Sequence, residues 1–114
     1  MTNPVPAPTP PYKPKLRQDL DDLVENGQLG DWAFNKPAGE KPDYIFIRLP
    51  NPNLIETTEV SRGEVTPWPL KDQPDPIIDD WQWDGNREAP TLKPSLNYVG
   101  IWHGYMKAGV LEKA

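Results

Sequence analysis

The sharpest apolar and polar pattern in the chain lies at Asp43–Leu49, which reads Asp-Tyr-Ile-Phe-Ile-Arg-Leu. A period of two places Ile45, Ile47 and Leu49 on one side of a strand, with Tyr44, Phe46 and Arg48 on the other. Both sides are partly apolar, which predicts a central strand. Residues 50–53 form a turn cluster, and Leu54–Val60 is expected to be a partner strand. A different period appears earlier. Leu16, Leu20, Leu23 and Val24 follow one helical stripe over residues 15–28, with Asp19, Asp21, Asp22 and Glu25 on the opposite face and Gly27 in C-cap position. Between these elements, residues 30–42 read as a loop pinned by Trp32 and Phe34.

The second half is a series of short β signals. Trp81 and Trp83 share one face of a brief strand, and Asp84-Gly85-Asn86 predicts a hairpin turn with the return strand over Arg87–Leu92. The closing stretch, from Asn97 to Lys113, reads as two strands around Lys107-Ala108-Gly109. Val99, Ile101, His103 and Tyr105 are predicted on one face, Tyr98, Trp102 and Met106 on the other. The fold class that follows is mainly β: a small antiparallel sheet or sandwich with one N-terminal helix. It is preceded by an extended proline-rich arm over residues 1–14, and residues 15–114 form a single domain.

Composition changes this picture in three ways. Sixteen prolines among 114 residues and a hydrophobic share of 36% leave little for a large core, so the five tryptophans are expected to dominate it. Six prolines fall within residues 1–14. A polyproline segment rises about 3.1 Å per residue, so this arm could span roughly 40 Å and lie on a neighbouring subunit. Seventeen acidic against twelve basic residues, net −5, with no Lys/Arg run, argue against a nucleic-acid or anionic-membrane partner. There is no basic-then-apolar leader and no membrane-length apolar run, so neither a signal peptide nor a spanning helix is expected.

Little in the chain suggests chemistry. Cysteine is absent, which removes thiolate catalysis, disulfides and zinc–sulfur sites. His103 is the sole histidine, and nothing beside it in sequence supplies a nucleophile or a carboxylate. The run Asp80-x-Gln82-x-Asp84-Gly85-x-x-Glu88 partly mimics a calcium loop, but Gln82 and Thr91 occupy positions where that loop needs oxygen-rich ligands. No cofactor and no metal are expected, and the protein is not expected to be an enzyme. The candidate partner-binding residues are Pro4, Pro6, Pro8, Pro10, Pro11 and Tyr12 in the arm, then Asp79, Asp80, Trp81 and Trp83. The two acidic residues belong to a cluster with Asp72, Asp75, Asp84 and Glu88 that could face a protein.

One resemblance is carried by Trp81-Gln82-Trp83-Asp84-Gly85-Asn86, by Ala89-Pro90-Thr91-Leu92-Lys93-Pro94-Ser95-Leu96, and by Trp102-His103-Gly104-Tyr105-Met106 with Gly109. Together these resemble a family of short phage and bacterial proteins of unknown function. The pattern there is W-x-W-[DN]-G-[DN], P-T-x-x-P-S, then H-x-[FY]-[IV]-x-x-G. It covers roughly residues 43–111. Many relatives carry cysteines that suggest a metal site, and this chain has none to carry over. The resemblance implies a compact β fold and a phage origin, and no reaction. The expected function is therefore a virion structural protein, a capsid decoration or head-stabilising protein assembled in the bacterial cytoplasm. Its expected partner is a capsid or other virion protein, or another copy of itself. A soluble effector that inhibits a host protein and a carbohydrate-binding module using Trp81 and Trp83 are the alternatives.

Overall fold

The computed structural model describes residues 13–51, 62–70 and 81–114. Within them the protein is mainly β. One short helix, α1 (Leu20–Asn26), precedes β1 (Trp32–Phe34), β2 (Tyr44–Leu49), β3 (Glu64–Pro69), β4 (Gln82–Trp83), β5 (Leu92–Lys93), β6 (Leu96–Tyr98), β7 (Trp102–Lys107) and β8 (Val110–Lys113). These pair into sheets of order β1-β2-β3, β4-β5 and β6-β7-β8, all antiparallel.

Strand β2 is central, as its two apolar faces predict. Ile45, Ile47 and Leu49 are fully buried against Trp32, Phe34 and Trp68, which stand opposite them on β1 and β3. The other face lies partly under α1, where Arg48 and Ala33 are buried. The expected loop at residues 30–42 begins instead with a strand. Trp32 and Phe34 alternate with Ala33 across β1, and residues 15–17 cover its outer edge. There Trp32 N–H donates to Lys15 O and Arg17 N–H to Trp32 O.

That edge contact also shortens the helix. Residues 15–17 are extended, so α1 spans 20–26 rather than 15–28, with Asp19 Oδ1 accepting from Asp22 N–H as the N-cap. Leu23 is fully buried, whereas Val24 is exposed and Leu16 packs outside the helix. The predicted apolar stripe therefore belongs to two elements. Gly27 does follow the helix, but its backbone is extended (φ −63°, ψ 146°). Glycine suits the position because a Cβ would collide with the Leu23 carbonyl oxygen.

The neighbour of β2 is β3, an element that its prolines conceal in the sequence. Leu70 N–H donates to Asp43 O at 2.9 Å, which fixes the parity of the ladder. Residues 64, 66, 68 and 70 turn their amides to β2, while Pro67 and Pro69 face the outer edge where no amide is needed. Pro69 O points outward as well and accepts from Trp81 N–H. The expected partner strand 54–60, the arm over residues 1–12 and the acidic connection 71–80 lie outside the described residues.

The hairpin expected around Asp84-Gly85-Asn86 is wider than a tight turn. The return strand is Leu92–Lys93, and residues 84–91 form a loop closed by Asp84 N–H to Thr91 O. Asn86 Oδ1 accepts from Glu88 and Ala89, and Asp84 Oδ1 from Asn86 and Thr91. These Asx contacts stabilise an open loop in place of a two-residue turn. The C-terminal hairpin is tight, with Lys107 opposite Val110 and positive φ at both Ala108 (49°) and Gly109 (77°). A further turn at residues 99–101 separates β6 from β7, so Val99 is an exposed tip and not part of the His103 face.

One apolar cluster joins the sheets: Trp32, Phe34, Ile45, Ile47, Leu49, Trp68, Leu70, Leu92, Leu96 and Met106. Its centre is more aliphatic than composition predicts. All five tryptophans reach it, but Trp81, Trp83 and Trp102 pack around its margin, half-exposed. Polar bonds then tie the parts together. Tyr98 O–H of β6 donates to Glu64 Oε2 of β3 at 2.5 Å, and Trp32 Nε1 donates to Arg87 O.

Candidate functional site on the C-terminal sheet

The alternation along β7 sorts its side chains cleanly. Gly104 and Met106 face the core, with Trp102 at its margin, and His103, Tyr105 and Lys107 face outward. The predicted common face of His103 and Tyr105 is therefore present. Their rings lie 6.3 Å apart, and the Lys107 ammonium sits 5.2 Å from the Tyr105 ring centre, a cation–π contact.

Residues 91–95 run beside this face and are pinned at both ends. At one end Ala108 N–H donates to Thr91 Oγ1 at 2.9 Å and Gly109 N–H to Pro90 O at 2.8 Å. At the other, His103 Nε2 and Ser95 Oγ are 2.9 Å apart. Between the pins lies an open groove of about 750 Å³, lined chiefly by Leu92, Lys93, Pro94, Ser95, Tyr105 and Lys107. Its volume falls in the range of roughly 300–1,000 Å³ typical of ligand sites. Its lining holds two lysines and no acidic residue, in a chain whose net charge is −5. Among the described residues, no carboxylate stands within ion-pair distance of Lys93 or Lys107.

The fold brings to His103 a hydroxyl that is not adjacent in sequence, Ser95 Oγ. A hydroxyl–imidazole pair needs a group that orients the imidazole and donors for an oxyanion before it can carry acyl transfer. Backbone bonds also fix both residues: Ser95 O accepts from Trp81 Nε1, and His103 O from Ala114 N–H. What the pair does in this geometry is close one end of the groove.

Several other charged side chains are committed to the fold. Asp31, fully buried, accepts from Lys15 N–H, Gln28 N–H and Arg17 Nε, all within 2.9 Å. Arg48 and Arg62 converge on carbonyls at the end of α1, where the helix leaves acceptors without partners of its own. Arg87 lies over the Phe34 ring at 4.8 Å and donates to Lys36 O, Pro37 O and Glu40 O, locking two loops together.

Of the residues predicted to meet a partner, Pro4, Pro6, Pro8, Pro10, Pro11, Tyr12, Asp79 and Asp80 lie outside the described residues. Trp81 and Trp83 are described, and both pack toward the core. Trp81 meets Trp68 edge-on at 4.9 Å, and Trp83 tilts against Phe34 at 5.0 Å. Their ring N–H groups donate to Ser95 O and Asn86 O. These indoles are half-buried and used in packing. The groove itself was missed because its walls come from separate segments. The pinning bonds join Pro90, Thr91, Ser95, His103, Ala108 and Gly109, and all of these but Ala108 belong to the sequence pattern noted above.

Comparison with known protein families, with curated proteins and with solved structures finds no match to this chain. Among the described residues, no helix is long and apolar enough to cross a membrane.

Proposed function

We propose that this chain is a non-catalytic protein-binding module, a structural component of a phage particle that docks on a protein shell. The observation that carries the docking reading is the outer face of β7 with its adjoining groove. It is rigidly held by three hydrogen bonds, presents an exposed tyrosine, and has lysines not consumed by the ion pairs of the fold. Exposed aromatic side chains on a fixed scaffold are typical of protein contact sites, because they bury area at small entropic cost. The phage assignment rests on the resemblance over roughly residues 43–111. The proline-rich residues 1–14 are the proposed second contact, reaching a neighbouring subunit.

The test is quantitative mass spectrometry of purified phage particles from a producing host. A fixed stoichiometry of tens to hundreds of copies is the expected result. Absence from particles, with the protein present in infected cells, overturns the virion role and favours a host-directed effector.

A further inference from the structure

We propose that the groove between residues 91–95 and β7 binds an extended acidic segment of the partner protein, with an apolar side chain on its floor and carboxylates at Lys93 and Lys107. The inference rests on the protein-docking reading above and gives its partner a chemistry.

Three features argue for it. The floor is apolar: Leu92 is buried, and Pro94 and the Tyr105 ring form the walls. The charge is of one sign, since Lys93 and Lys107 line the groove with no acidic residue among the lining groups. The shape is open along one side and held at each end, by Thr91–Ala108 and by Ser95–His103. An extended chain directs successive side chains to opposite sides. One apolar residue can therefore enter the groove while neighbouring carboxylates meet ammonium groups at the rim. Because both walls are fixed beforehand, little ordering is lost on binding. The chain as a whole carries a net charge of −5, which disfavours an acidic segment away from the two groove lysines.

The experiment uses the full chain, ¹⁵N-labelled, titrated with three synthetic probes. These are acetyl-Glu-Asp-Leu-Pro-Asp-Glu-amide, the same peptide with each acid replaced by its amide, and a peptide of residues 1–12 of this chain. The acidic probe is expected to shift the backbone amides of residues 92–93, 95 and 105–108 saturably. Binding should weaken by about tenfold with the amide probe, with the Lys93→Glu/Lys107→Glu variant, and on raising salt tenfold. Both lysines are exposed, so the variant keeps its fold, which an unchanged near-ultraviolet circular dichroism spectrum verifies. Equal binding of the acidic and amide probes overturns the proposal, as does undiminished binding by the charge-reversed variant. Groove shifts with the residue 1–12 peptide alone also overturn it, assigning the groove to the chain's own arm. A particle experiment separates this claim from the reading beneath it. If wild type and the charge-reversed variant enter particles in equal numbers, docking stands and the acidic-segment proposal falls. If wild type is absent from particles while the peptide pattern holds, the virion role falls and the groove chemistry stands.

Discussion

Replacing Arg48 with methionine tests how much of this fold depends on polar clamps. The guanidinium is 5% exposed and joins α1 to the β2–β3 pair. Nε donates to Leu23 O at 2.9 Å, Nη2 to Val24 O at 2.7 Å, and Nη1 to Gly63 O at 3.1 Å and Arg62 O at 3.3 Å. Methionine fills the stem's volume and removes every donor. The loss is not the sum of these bonds. Leu23 O keeps Gly27 N–H and Val24 O keeps Arg62 Nη2, so two acceptors retain a partner. Gly63 O loses the partner described for it and bears most of the desolvation cost, about 1–3 kcal/mol. The lost charge-assisted bonds bring the expected total to about 3 kcal/mol, the low end for breaking a buried charged network. Urea unfolding followed by tryptophan fluorescence measures it. At a slope of about 2 kcal/mol per molar, the midpoint should fall by about 1.5 M. Arg48→Lys should recover only part of the loss, because one ammonium cannot reproduce the planar fork. A cost below about 1 kcal/mol for Arg48→Met would refute the view that this side chain fastens the helix to the sheet.

Tyr98→Phe should cost about 1 kcal/mol near neutral pH through loss of the bond to Glu64. That bond, then burial and the Glu64 charge, hold the Tyr98 hydroxyl above its ordinary value of 10.0, so its contribution is intact below pH 10 and disappears as pH rises through the folded value. Unfolding of wild type and variant should therefore converge in strongly alkaline solution, and a constant difference up to pH 12 would contradict the assignment. Two glycines offer a contrast in cause. Gly39→Ala meets no neighbouring atom and suffers only the positive φ of 95°, so thermal melting should show a loss of about 1 kcal/mol. In Gly104→Ala the new methyl collides with the Trp102 indole and with the Glu112 carbonyl, and the loss should exceed about 2 kcal/mol. Similar melting temperatures for these two variants would mean that β7 and β8 separate more readily than their register implies.

The fold was legible where local pattern and tertiary environment agree. Strand β2 alternates because one face meets the core, while the other carries Arg48, which bonds to carbonyls of α1. The last hairpin is announced by Ala108-Gly109, since its tight turn needs positive φ at both positions. It was illegible where a residue's usual meaning depends on which side of a strand has a neighbour. Pro67 and Pro69 ordinarily argue against a strand, yet they are harmless on the outward parity of an edge strand. Trp32 and Phe34 look like isolated anchors until β2 supplies a pairing partner. Leu16 fits the helical stripe by spacing, but the bridge to Trp32 takes its backbone out of the helix. In each case a long-range backbone bond outweighed a local preference.

The same reasoning explains why the proposed docking face was half visible. The outward direction of His103, Tyr105 and Lys107 follows from alternation alone. That Lys93, Pro94 and Ser95 stand beside them does not, because the contact is made by the Ala108 N–H bond to Thr91 Oγ1 and the bond between Ser95 Oγ and His103 Nε2. Threonine and serine at those positions thus act as spacers that hold an apolar trough open. A core contact would have closed it, since apolar side chains facing each other across that gap would collapse together. The polar pins join the two walls at their ends and satisfy the Ala108 amide. A surface that holds Tyr105 exposed beside a trough forgoes burial that would otherwise stabilise a small domain. That sacrifice makes sense when another protein supplies the missing burial, and this is why the binding reading places its contact at the groove and not at Trp81 and Trp83.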